Sequence, residues 1–274
     1  MDTDGLMALA LEMVGFREVP ADSQIHVAGA DLQRLLVGID IGVGELYLAR
    51  KDGFDGVIAH HPVGGHASIR FHHVLTRHAE LMQEAGVPKD EALQAVAALS
   101  DPIETARHAH NYDRVPAVAR LLGLPFLNIH QPWDEMGRRR MAEALHTAGG
   151  EATVGQGIAA LQAFPEFAAA ETEIELRLGD AAHALGRWVV AHGAGTNGGY
   201  AVAKAYFSHG VDTLIYIHIA SPELQRLRED PEVRGKNLIV TGHIASDSVG
   251  ITPYIQRLRD EGLEVVAVGG VLEP

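Results

Sequence analysis

Short apolar runs recur along the chain at the length of buried β-strands. They occupy 35–40, 56–61, 125–130, 187–192, 212–219, 237–242 and 263–270, and the segment 172–178 alternates polar and apolar residues like a half-exposed strand. Helical periodicity between these runs predicts helices near 3–15, 43–52, 68–85, 90–99, 101–110, 114–122, 134–147, 199–209, 221–229 and 248–260. Apolar strands that alternate with helices predict an α/β fold with covered sheets.

The stretch 149–171 is the weakest in strand signals. Gly149–Gly150 and Pro165 mark loops within it. We therefore expect this stretch to join two lobes of the protein.

Composition excludes several classes of protein. The chain has 274 residues and a formal charge of 22 − 36 = −14, so it lacks the basic character of non-specific nucleic-acid binding. It contains no cysteine, which excludes disulfides, thiolate metal sites and cysteine nucleophiles. The acidic N-terminus does not resemble a secretory signal, and no apolar stretch approaches the ~20 residues of a membrane span. These features predict a cytoplasmic protein that does not bind membranes.

The chain contains 16 histidines, and three of their positions follow strand-like runs. His60–His61, His130 and His243 each stand at the carboxyl end of a predicted strand, where open α/β sheets collect ligand-binding groups. Each histidine taken alone is more often a surface or core residue. Their shared position in three separate segments favours a common site.

Two carboxylates accompany these histidines at a spacing of four residues. Asp134 follows His130, and Asp247 follows His243, so each pair can share one face of a helix. The alternative for both aspartates is a role as helix cap, and for His60–His61 it is a polar strand end. His60, His61, Asp134, His243 and Asp247 together offer nitrogen and oxygen ligands for two divalent ions such as Zn²⁺, Mn²⁺ or Fe²⁺.

A glycine-rich segment, 193–198, fits the G-x-G-x-x-G pattern between a predicted strand and a helix. Three interpretations remain open: a structural turn, a turn whose amides bind an anionic group of a substrate, and a dinucleotide site. The acidic residue expected about 20 positions later is displaced to Asp212, which disfavours the dinucleotide site. His66 follows the His-His-Pro segment closely, and we expect it as a candidate neighbour of the metal ligands that does not itself bind a metal.

The chain resembles the NIF-three-like (Ngg-one-interacting factor three) family over nearly its whole length. GFDGVIAHHPVG (53–64) is similar to that family's His-His-Pro signature, and TGHIASDSVG (241–250) is similar to its late Gly-His motif. NIHQPWDEMG (128–137) resembles its H-T-N-L-D stretch. Asp247 stands where the family has glutamate, and the helical stretch 86–124 departs from the family pattern.

The resemblance implies two α/β lobes with a dinuclear metal cleft between them. We accordingly divide the chain into a first lobe, 1–130 plus 236–274, and a second lobe, 131–235. The resemblance implies that the metal ligands are the same five residues, His60, His61, Asp134, His243 and Asp247. It also implies that His130 corresponds to a family histidine that lies near the metals without binding them.

Many family members carry the name GTP cyclohydrolase I type 2. The resemblance therefore implies a metal-dependent hydrolase of a small nucleotide-like substrate, with His66 and His130 as candidate proton shuttles. It also implies a homo-oligomer, expected to be a hexamer. The alternative is a non-catalytic metal-binding or interaction protein, which an open cleft of nucleotide size beside the metals would disfavour.

Overall fold

The computed structural model describes residues 1–273 as a mixed α/β protein with twelve α-helices and two β-sheets. The helices are α1 (Thr3–Val14), α2 (Val43–Lys51), α3 (Gly65–Ile69), α4 (Thr76–Glu84), α5 (Lys89–His108), α6 (Arg114–Leu122), α7 (Gln131–Ala148), α8 (Val154–Gln162), α9 (Pro165–Ala169), α10 (Gly199–Ser208), α11 (Ser221–Glu229) and α12 (His243–Asp260). Two 3₁₀ turns cover Phe71–Leu75 and Pro231–Val233. The strands are β1 (Gln24–Val27), β2 (Arg34–Gly38), β3 (Gly56–Ala59), β4 (Phe126–Asn128), β5 (Glu175–Leu178), β6 (Trp188–Val190), β7 (Thr213–Tyr216), β8 (Asn237–Val240) and β9 (Glu264–Val268).

Both sheets are parallel except for one edge strand each. The first sheet has the order β1-β4-β3-β2-β9, with β1 antiparallel to β4. The second has the order β5-β8-β7-β6, with β5 antiparallel to β8. The central strands β2, β3, β7 and β8 are almost wholly buried because helices cover both faces, as in other parallel sheets. The α/β class predicted from the apolar runs is confirmed.

Helices α7 and α12 pack against both sheets. Trp133 of α7 and Tyr254 of α12 lie in the apolar core of the first sheet. Met141 of α7 and Val249 of α12 lie in a core of the second sheet. The starts of these two helices are therefore close to the strand ends of both sheets.

Several elements differ from those predicted. A single helix, α5, replaces the two helices expected at 90–99 and 101–110, because it continues through Pro102. The stretch 149–171 contains α8 and α9. β8 pairs within the second sheet, whereas the predicted division groups 236–274 with the first lobe. β9, in the same range, pairs with β2 of the first sheet, so residues 236–274 contribute a strand to each sheet. Local sequence patterns do not report which distant strands pair, and the boundaries of the two lobes stay a prediction.

Within residues 1–273, the helices are all too short or too polar to cross a membrane.

Candidate metal centre

The His-His pair stands where β3 leaves the first sheet. The backbone N–H groups of His60 and His61 donate to the carbonyls of Gly38 and Ile39, at 2.8 and 3.0 Å, and so hold the segment beside β2 after β3 has ended. His60 is fully buried, whereas His61 is partly exposed. The two rings, with centroids 5.0 Å apart, address the same region from adjacent positions.

The two carboxylates come from near the starts of α7 and α12: Asp134 lies in the first turn of α7, and Asp247 lies one turn after His243 in α12. These helices approach so closely that a Cβ on Gly250 would lie 2.0 Å from the carbonyl oxygen of Trp133, and one on Gly137 would lie 3.2 Å from that of Ser246. Glycine at both positions permits the contact that sets Asp134 beside Asp247. Because α12 begins at His243, the expected spacing of one helical turn between His243 and Asp247 is present.

The five predicted ligand residues converge. His60 Nε2 lies 3.2 Å from Asp134 Oδ1 and 3.8 Å from Asp247 Oδ1. Asp247 Oδ2 lies 3.5 Å from His61 Nε2 and 3.4 Å from His243 Nε2. Ligand atoms that share a tetrahedral Zn²⁺ ion are roughly 3.4 Å apart, given bonds of about 2.0–2.2 Å.

Two groups of three donor atoms share one residue. His60, Asp134 and Asp247 form one group, and His61, His243 and Asp247 form the other, with all donor atoms of each group within 4.8 Å of one another. A third group joins His130 to His60 and His61. Asp247 is thus the carboxylate that can serve two cations at once.

The donor atoms at the centre of the cluster do not satisfy one another by hydrogen bonds, but they could all bind a metal ion. His60 Nε2, Asp134 Oδ1 and Asp247 Oδ2 are buried and make no well-aligned hydrogen bond within the described residues. Buried polar atoms without partners are costly, and buried carboxylates without cations are more so. Divalent cations would satisfy these atoms together.

Partners on the opposite ring nitrogens orient three of the histidines. His60 Nδ1 lies 3.1 Å from the carbonyl oxygen of Ile129, His61 Nδ1 2.8 Å from Asp40 Oδ1, and His130 Nδ1 2.7 Å from Asp22 Oδ2. Such contacts favour the tautomer in which Nε2 keeps its lone pair for a metal.

The electrostatics of the cluster follow from burial and paired charges. Burial opposes protonation of His61, but Asp247 and Asp40 outweigh it and raise its pKa to about 10. Burial lowers the pKa of His60. Burial alone would raise the pKa of Asp134. The charges of His130 and His192 and the contact with His60 outweigh burial, so the pKa of Asp134 is lowered. Without a metal, a protonated imidazole therefore compensates the buried carboxylates.

The structure adds two histidines that sequence reasoning had left without a role. His192 is buried, and its Nε2 lies 3.7 Å from Asp134 Oδ1 without a hydrogen bond among residues 1–273. The ring of His218 lies 4.6 Å from that of His243. Both follow strands, β6 and β7, so the rule that selected His60 and His243 would also have found them.

His66 is not brought to the cluster. Its side chain is exposed and lines a separate hollow with Gln24 and His26. His130, by contrast, is buried, and its Nε2 lies 3.9 Å from Asp134 Oδ2.

Four residues of the cluster, His61, Asp134, His243 and Asp247, line a cavity of about 500 Å³. The lining also includes other residues that follow strands of both sheets. Asp40, His61 and His130 come from the first sheet, and His192 and His218 from the second. Gly195 and Thr196 of the glycine-rich turn also line it.

The N-terminus of α10, which follows the glycine-rich turn, is occupied by a carboxylate. Glu223 Oε2 accepts a hydrogen bond of 2.8 Å from the backbone N–H of Tyr200. A dinucleotide would place its pyrophosphate at this helix terminus, where Glu223 would repel it. The geometry therefore disfavours the dinucleotide interpretation of the turn.

These features define an α/β protein with a His/Asp cluster suited to divalent metals. The chain is 53% identical to a NIF3 superfamily protein from Sphaerobacter thermophilus, with a TM-score of 0.95 over 98% of both chains. HcgD from Methanocaldococcus jannaschii shares the fold at 10% identity and a TM-score of 0.55, over 96% of this chain and 94% of HcgD. A Bacillus cereus protein related to NIF3 shares it at 9% identity and a TM-score of 0.53, over 98% and 96%.

This chain belongs to the NIF3 superfamily. The family predicted from the His-His-Pro and Gly-His motifs is thereby confirmed. No protein-family model and no curated protein sequence matches the chain.

Proposed function

We propose that the chain is a hydrolase that depends on two divalent metal ions, Zn²⁺, Mn²⁺ or Fe²⁺, and acts on a small nucleotide-like substrate. The observation that carries the proposal is the set of buried, unpartnered donor atoms of His60, Asp134 and Asp247, because the two aspartates of this set line an open cavity. A purely structural metal site would be closed by its ligands. A cavity of about 500 Å³ is within the range that accommodates small-molecule ligands.

The chain's own residues would divide the work as their positions suggest. His60 and Asp134 would hold one cation, His61 and His243 the other, and Asp247 would contact both. When bound, the cations would lower the pKa of water and polarise an oxygen of the substrate. His130 would accept or donate a proton at Nε2, which is supported by the contact of its Nδ1 with Asp22 and by its closeness to Asp134. We assign the proton shuttle to His130 rather than His66, because His66 lies outside the cavity.

GTP is the first substrate to test, because the family resemblance implies attack of water on C8 of the guanine ring. The experiment combines elemental analysis of the purified protein with a hydrolysis screen of nucleotides and phosphoesters. We expect bound divalent metal and a turnover that is lost with chelator and restored by the metal.

Asp134→Asn tests the site itself, and Asp101→Asn is the matched control, since Asp101 is an exposed aspartate of α5. The first substitution should abolish turnover, and the second should leave it unchanged. Turnover that persists in metal-free protein, or in Asp134→Asn, would contradict the proposal.

A further inference from the structure

Arg107 introduces a permanent positive charge into a cavity whose other ionisable lining groups are aspartates and histidines. It lies in the last turn of α5, within the stretch 86–124 that departs from the family pattern. Among the described residues that line the cavity, Arg107 is the only arginine or lysine, while three aspartates lie there: Asp40, Asp134 and Asp247.

The guanidinium of Arg107 is held in place without a carboxylate. Its Nη1 donates to Ser68 Oγ at 3.3 Å, and its Cζ lies 5.0 Å from the centre of the Phe71 ring. Burial lowers the pKa of Arg107, and no nearby carboxylate opposes that effect. The two contacts orient the group, and its remaining N–H groups make no hydrogen bond within residues 1–273.

The glycine-rich turn, of which Gly195 and Thr196 line the same cavity, has backbone N–H groups without partners among residues 1–273. The backbone N–H groups of residues 193–197 make no hydrogen bond within the described part of the chain. Gly195 has φ +76°, and a Cβ there would lie 2.8 Å from Val74, so the backbone conformation and the space both require glycine. Successive unpaired N–H groups in such turns form anion-binding sites.

The turn is fixed by buried side chains. His78 is fully buried, and its Nε2 lies 3.1 Å from Thr196 Oγ1. Asn197 Nδ2 lies 2.7 Å from His218 Nδ1, and Gln131 Nε2 donates to the carbonyl of Gly193 at 3.3 Å. These contacts fix the conformation of the turn. The turn therefore forms a preorganised part of the same cavity that Asp134 and Asp247 line.

We infer that Arg107 and the turn at 193–197 bind a phosphate group of the substrate, so that Arg107 makes this cavity selective for phosphorylated compounds. The inference rests on the proposed hydrolase for its substrate. A guanidinium with free N–H groups suits phosphate because it can donate two parallel hydrogen bonds. In a chain of net charge −14, this unpaired cation also offsets the repulsion of an anionic ligand.

The test is binding of inorganic phosphate, measured by equilibrium dialysis on metal-loaded protein. Cations in the cavity can themselves attract phosphate, so the variants are compared at equal metal content, checked by elemental analysis. Arg107→Gln should raise the dissociation constant of phosphate roughly 10- to 100-fold, the loss expected for a charge-assisted hydrogen bond. Arg107→Lys should restore part of the affinity, because it keeps the charge but not the planar fork.

Arg114→Gln is the matched control, since Arg114 is exposed at the start of α6 and does not line the cavity. It should bind phosphate like the wild type. Phosphate binding that is absent in the wild type, unchanged in Arg107→Gln or equally weakened in Arg114→Gln would overturn the inference.

The outcome is separable from that of the proposed function. Normal metal content and chelator-sensitive turnover with phosphate binding unaffected by Arg107→Gln would remove only the role of Arg107. Phosphate binding that depends on Arg107 in a protein that takes up no metal would remove only the metal-dependent hydrolase.

Discussion

Replacing Asp247 by Asn should abolish binding of both metal ions, whereas replacing Asp134 by Asn should abolish only one. Asp247 belongs to both groups of donor atoms, and Asp134 belongs to one. Asparagine has nearly the same shape as aspartate, so each change removes a negative charge with little effect on packing. The expected stoichiometries are therefore two ions in the wild type, one in Asp134→Asn and none in Asp247→Asn.

The same series predicts the size of the thermal shift. A ligand present at 100 times its dissociation constant stabilises a protein by about 2.7 kcal/mol per site. For 274 residues the entropy of unfolding is roughly 0.6 kcal/mol per kelvin, so each ion should raise Tm by about 5 °C. Metal should thus raise Tm by about 10 °C in the wild type, about 5 °C in Asp134→Asn and not at all in Asp247→Asn.

The assay is differential scanning calorimetry with and without chelator, together with elemental analysis. Comparing each variant with its own metal-free form cancels any change in intrinsic stability. Asp101→Asn, on the surface of α5, should behave as the wild type. Two ions and a full thermal shift in Asp247→Asn would refute the reasoning that both sites share this carboxylate.

Three further predictions concern other features of the chain. Asp247→Glu, which introduces the residue that the family resemblance implies at this position, should retain both ions while the longer side chain alters their separation, measured by electron paramagnetic resonance of Mn²⁺-loaded protein; loss of either ion would contradict this. Burial lowers the pKa of His78 from 6.5 to about 4, so its contribution to stability is present above pH 6.5 and is lost as pH falls towards 4. In metal-free protein, urea unfolding of His78→Gln should therefore lose about 3 kcal/mol less between pH 7 and pH 4 than the wild type, and an equal loss would contradict the assignment. Sedimentation at micromolar concentration should show the hexamer that the family resemblance implies, and a stable monomer would remove that prediction.

The fold was predictable where local patterns decide it. The apolar runs around β2, β3, β7 and β8 are buried on both faces, and such strands need no alternation to be recognised. β1 was not predicted, because its sequence, Gln24–Val27, is short and its residues are all half-buried. Helix α8 has a capping box between Thr153 and Gln156, a signal present in the sequence that its two glycines obscured.

The site was predictable in part for a similar reason. Histidines at strand ends and aspartates four residues later are local signals, and they led to the five residues that the structure brings together. Asp22 orients His130 across 108 residues of sequence, and no spacing rule reports such a contact. The closeness of Asp134 to Asp247 likewise depends on Gly137 and Gly250 on two separate helices.

The central claim is that two cations share Asp247 at the wall of the cavity. A crystal structure of metal-loaded protein, with diffraction recorded at the absorption edge of the metal, tests this most directly. The account predicts two anomalous peaks, one beside His60 and Asp134 and the other beside His61 and His243, each about 2.0–2.3 Å from its donor atoms, with Asp247 in contact with both. A single peak, peaks elsewhere in the molecule, or two ions that leave Asp247 uncoordinated would contradict it.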